Sequence, residues 1–130
     1  DDVELMIQNR LVPCVKCNDH AVWFTFNTLC NSPRSQLDYL EIADRFKIVF
    51  VSDIPQLSPD DQTKVILWIR LIDVMYDRGI HLVMSAAVPL QELYQQGPML
   101  KEFARTLSRL QEMQSQDYLR RHHRRSVQDL

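Results

Sequence analysis

Apolar positions along this chain repeat with two different periods, and the period changes where turn-forming residues fall. Residues 3–7 and 11–17 are short apolar-rich runs broken at Asn9-Arg10, and His20 to Phe26 follows the turn signal Asn18-Asp19. These runs predict a small antiparallel meander. Beyond the loop at residues 31–34, Ser35 is placed to cap a helix running to about Phe46. Leu37, Leu40 and Phe46 would supply its buried side, with Tyr39 and Ile42 flanking. Lys47 to Ser52 is a β-branched and aromatic run of the kind found in strands buried on both faces, and Asp53 to Leu57 reads as the turn after it.

Ser58-Pro59-Asp60-Asp61 reads as a helix start, with Ser as cap, Pro in the first helical position and two acids at the positive end of the helix dipole. Val65, Trp68, Ile69, Ile72 and Met75 continue it as one apolar stripe until Asp77-Arg78-Gly79, where the glycine suits the C-terminal cap. Ile80 to Met84 predicts another buried strand, Pro89 to Gln95 a short helix, and Gly97-Pro98 a break. Leu100, Phe103, Leu107, Leu110 and Met113 then recur at spacings of three and four along a final helix reaching toward Leu119. Strand alternating with helix is the pattern of right-handed βαβ units. The expected fold is a three-layer α/β domain over residues 1–119, with a mainly parallel sheet, antiparallel N-terminal strands and a C-terminal helical segment. Residues 120–130 form a basic tail.

Composition narrows the class. The chain has 130 residues, 45% hydrophobic and 25% charged, which is ordinary for a globular protein. A net charge of −2 gives no general attraction to nucleic acid. No apolar run approaches the roughly 20 residues that span a bilayer, so no transmembrane segment is expected. Three cysteines, an odd number, argue against a disulfide framework and for a reducing compartment, here the cytoplasm.

Several side chains could carry chemistry. Arg105 and Arg109 lie four apart on the last helix, where two guanidinium groups repel unless an anion joins them. Phosphate suits the planar Arg fork, which makes the pair a candidate cofactor-binding site. Glu102 and Glu112, each three residues from one of them, offer the plainer reading of a balanced helix face. Asp53 ends a strand, where α/β domains place functional carboxylates, but with neither a neighbouring acid nor a P-loop it reads as a turn residue bonding its own backbone. Cys14, Cys17, Cys30 and His20 have zinc-ligand chemistry. Cys14 and Cys17, however, fall at odd spacing on one predicted strand and would face opposite ways, so no metal site is expected. Asp73 and Asp77 share a helix face, with Arg70 and Arg78 close by. His81 and Ser85 have no acid placed to complete a hydrolytic triad, and no catalytic residue is expected in the chain. The cluster Arg120 to Arg125 could touch acidic lipid or nucleic acid, or remain a solvated end.

Five stretches, in order, resemble one family. They are Trp23 to Cys30 (WFTFNTLC), Asp38 to Phe46 (DYLEIADRF), Val49 to Leu57 (VFVSDIPQL), Leu71 to Tyr94 (LIDVMYDRGIHLVMSAAVPLQELY) and Glu102 to Leu119 (EFARTLSRLQEMQSQDYL). Together they are similar to the C-terminal part of the ZapE-type P-loop ATPases, AAA-like proteins of bacterial cell division with mitochondrial relatives. The resemblance implies a nucleotide-binding hydrolase that uses ATP and Mg, acts on the division protein FtsZ, and leaves room for a homo-oligomer. The P-loop GxxxxGK[ST] is absent here, since Gly79 and Gly97 stand alone. The resemblance therefore puts the P-loop and Walker B acids in an upstream ATPase half, consistent with a chain that begins at Asp1, and the chain alone should be inactive. One internal departure matters. The family usually reads Ala-Arg-Arg-Phe-Ile before Leu-Ile-Asp, whereas this chain has Val65-Ile66-Leu67-Trp68-Ile69. Exposed, Ile66 and Leu67 would form an apolar patch for another domain or subunit. A non-catalytic interaction module is therefore the alternative reading.

Overall fold

The computed structural model describes residues 3–31, 33–115 and 118–119, so the basic tail lies outside the described residues. Val3–Ile7 (β1) and Arg10–Cys14 (β2) form an antiparallel hairpin. Its tip is Gln8-Asn9, both at positive φ (52° and 63°), the conformation that lets a two-residue turn follow the strand twist. The single strand expected over 11–17 is broken at Val15. Lys16–Cys17 (β3) belongs to a second sheet, antiparallel to Ala21–Thr25 (β4). Instead of one meander there are two antiparallel pairs.

β4 ends before the expected Phe26. The Thr25 hydroxyl accepts a hydrogen bond from Thr28 N–H at 3.3 Å and caps a short helix, Phe26–Cys30 (α1). The aromatic run that reads as strand thus delivers Phe26, Leu29 and Cys30 to the core from a helical turn. Gln36–Arg45 (α2) starts at Ser35, as its sequence suggests, and the Asp38 carboxylate reaches back to Ser35 N–H at 2.8 Å. Its buried side is turned from the expected one. Tyr39, Ile42, Ala43 and Phe46 are buried, while Leu37 is 59% exposed. Asp38 is also buried because Arg10 of the hairpin pairs with it at 2.9 Å.

Ile48–Ile54 (β5) runs two residues past the expected end, so Asp53 lies within a strand and not in a turn. Gln62–Asp77 (α3) begins a turn later than Ser58 suggests. Ser58 and Asp61 close a tight loop instead, with Ser58 N–H donating to Asp61 Oδ2 at 2.8 Å. The predicted stripe of α3 is buried throughout, and Leu67, Leu71 and Val74 are buried as well. Gly79 ends it at φ 67°, as its position predicts. His81–Ala86 (β6) follows, then a single 3-10 turn, Leu90–Glu92, where a longer helix is expected, and finally Leu100–Met113 (α4).

The larger sheet has the order β3-β4-β5-β6, with β4, β5 and β6 parallel. Strand order therefore repeats sequence order. Val22 and Phe24 of β4 and Val49 and Val51 of β5 are fully buried in one core with Trp68, Leu71, Ile72 and Met75 of α3. The opposite face is different. Trp23 is 37%, Phe50 38% and Val83 46% exposed. The expectation of a strand buried on both faces thus fails for β5. An unbroken β-branched run looks the same whether one face is covered or two, because its outward residues happen also to be apolar.

Candidate functional site

α4 carries the predicted arginine pair, and its packing on α3 decides what each can do. Phe103, Thr106, Leu110 and Met113 face the core, whereas Leu100, expected in that stripe, is exposed. Thr106 tolerates burial because its hydroxyl donates back to the Glu102 carbonyl at 3.3 Å. This rotation brings Arg109 against α3. There it forms an ion pair with Asp73, and its guanidinium lies over the Tyr76 ring, 5.1 Å from the centroid. The Tyr76 hydroxyl donates to Glu112 Oε1 at 2.9 Å. Arg109 is therefore balanced by Asp73 of the neighbouring helix, not by Glu112 of its own.

Arg105 stands one turn earlier and differs. It is exposed and makes no ion pair among the described residues. The predicted pair is thus split into one arginine committed to α3 and one that presents its guanidinium outward. A free, planar cation held on a packed helix can meet phosphate or carboxylate oxygens in bidentate fashion. Arg78, at the end of α3, forms an ion pair with Asp44 of α2, so it too ties helices together.

At the C-terminal ends of the parallel strands, Asp53 adopts φ 60°, an uncommon and strained conformation for a residue with a side chain. It sits where the pairing of β5 with β6 is irregular, between Val51 and Ile54, and its N–H donates to Ser85 Oγ at 3.3 Å. Trp23 Nε1–H donates to Ser52 Oγ at 2.8 Å. The Ser85 hydroxyl is thus engaged by a backbone amide, and the sequence gives no sign of that. The strain at Asp53 also had no signal in the sequence beyond its place at a strand end.

The cysteines separate. Cys14 lies on β2 and Cys17 on β3, in different sheets, so the odd spacing expected along one strand does not apply. Cys30 is buried beside Tyr39, and burial pushes its thiol up to about 12, against a smaller opposing effect of the Tyr39 hydroxyl. Among the described residues, His, Cys, Asp and Glu form no group of three that could hold a metal ion. The apolar patch envisaged at Ile66-Leu67 is also absent, because Leu67 is only 5% exposed.

The described residues do not by themselves fit ATP. Gly79 serves as the cap of α3, and Gly97 is pressed against Tyr94, where a Cβ would come within 1.9 Å of the phenolic oxygen. Neither supplies the run of backbone N–H groups that a phosphate cradle needs. No helix among the described residues is long and apolar enough to cross a membrane.

Comparison with known proteins extends this picture. Cell division protein ZapE of Escherichia coli (strain K12) is 40% identical over 119 residues, which is 92% of this chain and 32% of that protein. An uncharacterized protein of Schizosaccharomyces pombe is 40% identical over 98 residues, 75% of this chain and 21% of that one. Lactation elevated protein 1 homolog B of Danio rerio is 37% identical over 111 residues, 84% of this chain and 22% of that one. The chain thus spans between about a fifth and a third of the length of these relatives. No solved structure matches it. The family model for AFG1-like ATPases matches residues 1–122, which takes in every described element from the β1–β2 hairpin to α4, and the chain belongs to that family.

Proposed function

We propose that these residues are the C-terminal region of a longer ATPase that hydrolyses ATP with Mg and acts in cell division on FtsZ or an FtsZ-like partner. The P-loop, the metal-binding acids and the catalytic base belong to the upstream half of that polypeptide. Within this region Arg105 points toward the phosphates as a sensor-type cation, and Arg109 fixes α4 on α3 so that Arg105 is held in place. The observation that carries the reading is the family match over residues 1–122, together with the division name borne by the Escherichia coli relative. The outward guanidinium of Arg105 supports the residue assignment, since Asp73 occupies its neighbour.

Steady-state ATP turnover of the full-length polypeptide tests this. Arg105→Ala is expected to lower turnover about 10-fold or more, the scale of losing one charge-stabilising contact, with an unchanged melting temperature. Arg109→Ala is expected to lower both. Full turnover in both variants would remove the phosphate role, and no turnover in the unmodified full-length protein would remove the ATPase reading. Co-sedimentation with FtsZ polymers examines the partner.

A second reading, a non-catalytic module that binds another protein segment, draws on the half-exposed apolar face of the sheet at Trp23, Phe50 and Val83. It predicts full ATP turnover by the upstream half alone.

A further inference from the structure

The uncovered face of the larger sheet carries an apolar row with a lysine at one end. Lys16 stands opposite Trp23, Trp23 opposite Phe50, and Phe50 opposite Val83, so one line of side chains crosses all four strands. The groove along this line, about 570 Å³, is also lined by Ser52 and Ser85. Parallel sheets are ordinarily covered on both faces, because crossover helices bury them.

The topology explains why this face is left bare. β4, β5 and β6 step across the sheet in one direction. Crossovers between parallel strands are right-handed in about 98% of cases. Stepping always the same way, α1 and α2 on one crossover and α3 on the next fall on the same side. Covering the other side needs a segment that winds in the opposite direction, as in doubly wound sheets. The described residues contain none, since β3 reaches β4 by a short antiparallel turn. Residues 120–130 offer only Val127 and Leu130 as aliphatics among arginines and histidines, too few to cover Trp23, Phe50 and Val83.

We infer that the Trp23–Phe50–Val83 face is the docking surface for an amphipathic helix from the remainder of the same polypeptide, with an apolar stripe on the row and an acidic residue opposite Lys16. The length comparison argues for this occupant: relatives run about three to five times longer than the matched region. The inference rests on the reading that this chain is part of a longer ATPase.

The test uses the full natural polypeptide with Phe50 replaced by a benzophenone-bearing amino acid, irradiated and mapped by mass spectrometry. The expected adduct joins position 50 to a peptide of the same polypeptide outside residues 1–130. A mixture of light and heavy isotope-labelled protein should then give no mixed adducts. Mixed adducts would identify a second copy, and adducts to nucleic acid, to another protein or to nothing but solvent would likewise overturn the inference. Val83, more exposed, carries the probe in a second variant in case the first does not fold. ATP turnover of the unmodified protein is measured alongside. Turnover without the expected adduct refutes the docking alone, whereas the adduct without turnover refutes the ATPase reading alone.

Discussion

Tyr39 and Cys30 show how one buried contact sets a pH limit. The Tyr39 hydroxyl, fully buried, donates to the Leu29 carbonyl at 2.6 Å, and the Cys30 thiol beside it is pushed up to about 12 by burial. Burial also raises Tyr39 above its ordinary value of 10.0. Both groups are held neutral when folded and ionise more easily when unfolded, so above about pH 9, the ordinary thiol value, the unfolded chain binds fewer protons than the folded one. The stability these two groups contribute is therefore complete below about pH 9 and is lost as pH rises toward 12. Urea midpoints measured from pH 8 to 11 should fall across this window, and less steeply for Cys30→Ala. A flat profile would show that neither group is shielded as described. None of this was legible in the sequence, where Cys30 is one of three cysteines and Tyr39 reads as flanking a buried stripe. The burial of Asp38 was equally illegible, because the cation that pairs with it, Arg10, lies 28 residues earlier. Polar residues satisfied by distant partners leave no local trace.

The docking of α4 on α3 weighs an ion pair against a hydrophobic stripe. The Arg109 and Asp73 side chains remain 29% and 32% exposed, so water screens much of their attraction. A double-mutant cycle on Arg109→Gln and Asp73→Asn is expected to give a coupling of about 1 kcal/mol or less. Leu110→Ala, at a fully buried position, should cost about 2–5 kcal/mol. Chemical denaturation of the single and double variants measures both, and a coupling larger than the Leu110 loss would reverse the order. Periodicity located this helix and its start from sequence, whereas the helix expected to reach toward Leu119 stops at Met113. Its rotation was less legible, because Thr106 counts as polar although its hydroxyl is satisfied within the helix, and Leu100 counts as core although it begins before the contact does. The same weakness hid α1, where Thr25 converts an aromatic strand pattern into a capped turn through one 3.3 Å hydrogen bond. The arginine pair was visible as two like charges four residues apart. That one of them belongs to Asp73 required α3 and α4 to be in place.

For the molecule as a whole, β5 is paired along most of its length with β4 on one side and β6 on the other, β4 has only the two-residue β3 on its outer side, and the β1–β2 hairpin forms a sheet of its own. The hairpin is fastened to α2 by Gln8 N–H on Glu41 at 3.0 Å, Arg45 on the Met6 carbonyl at 2.7 Å, and Arg10 on Asp38. Native-state amide exchange should be slowest in β5 and markedly faster in β1 and β2, which can open without disturbing the larger sheet. Equal protection in all strands would mean that the two sheets open as one unit. Strand and helix alternation made the parallel sheet legible from the start, whereas which face of it is covered depends on the direction of winding, and no local pattern records that. The winding has a consequence for biosynthesis. A ribosome releases β3, β4, β5 and β6 in the order in which they lie side by side. Each strand leaving the exit tunnel finds its neighbour already made, and no slot has to be kept open for a strand still to be translated, so this sheet can grow at the pace of synthesis.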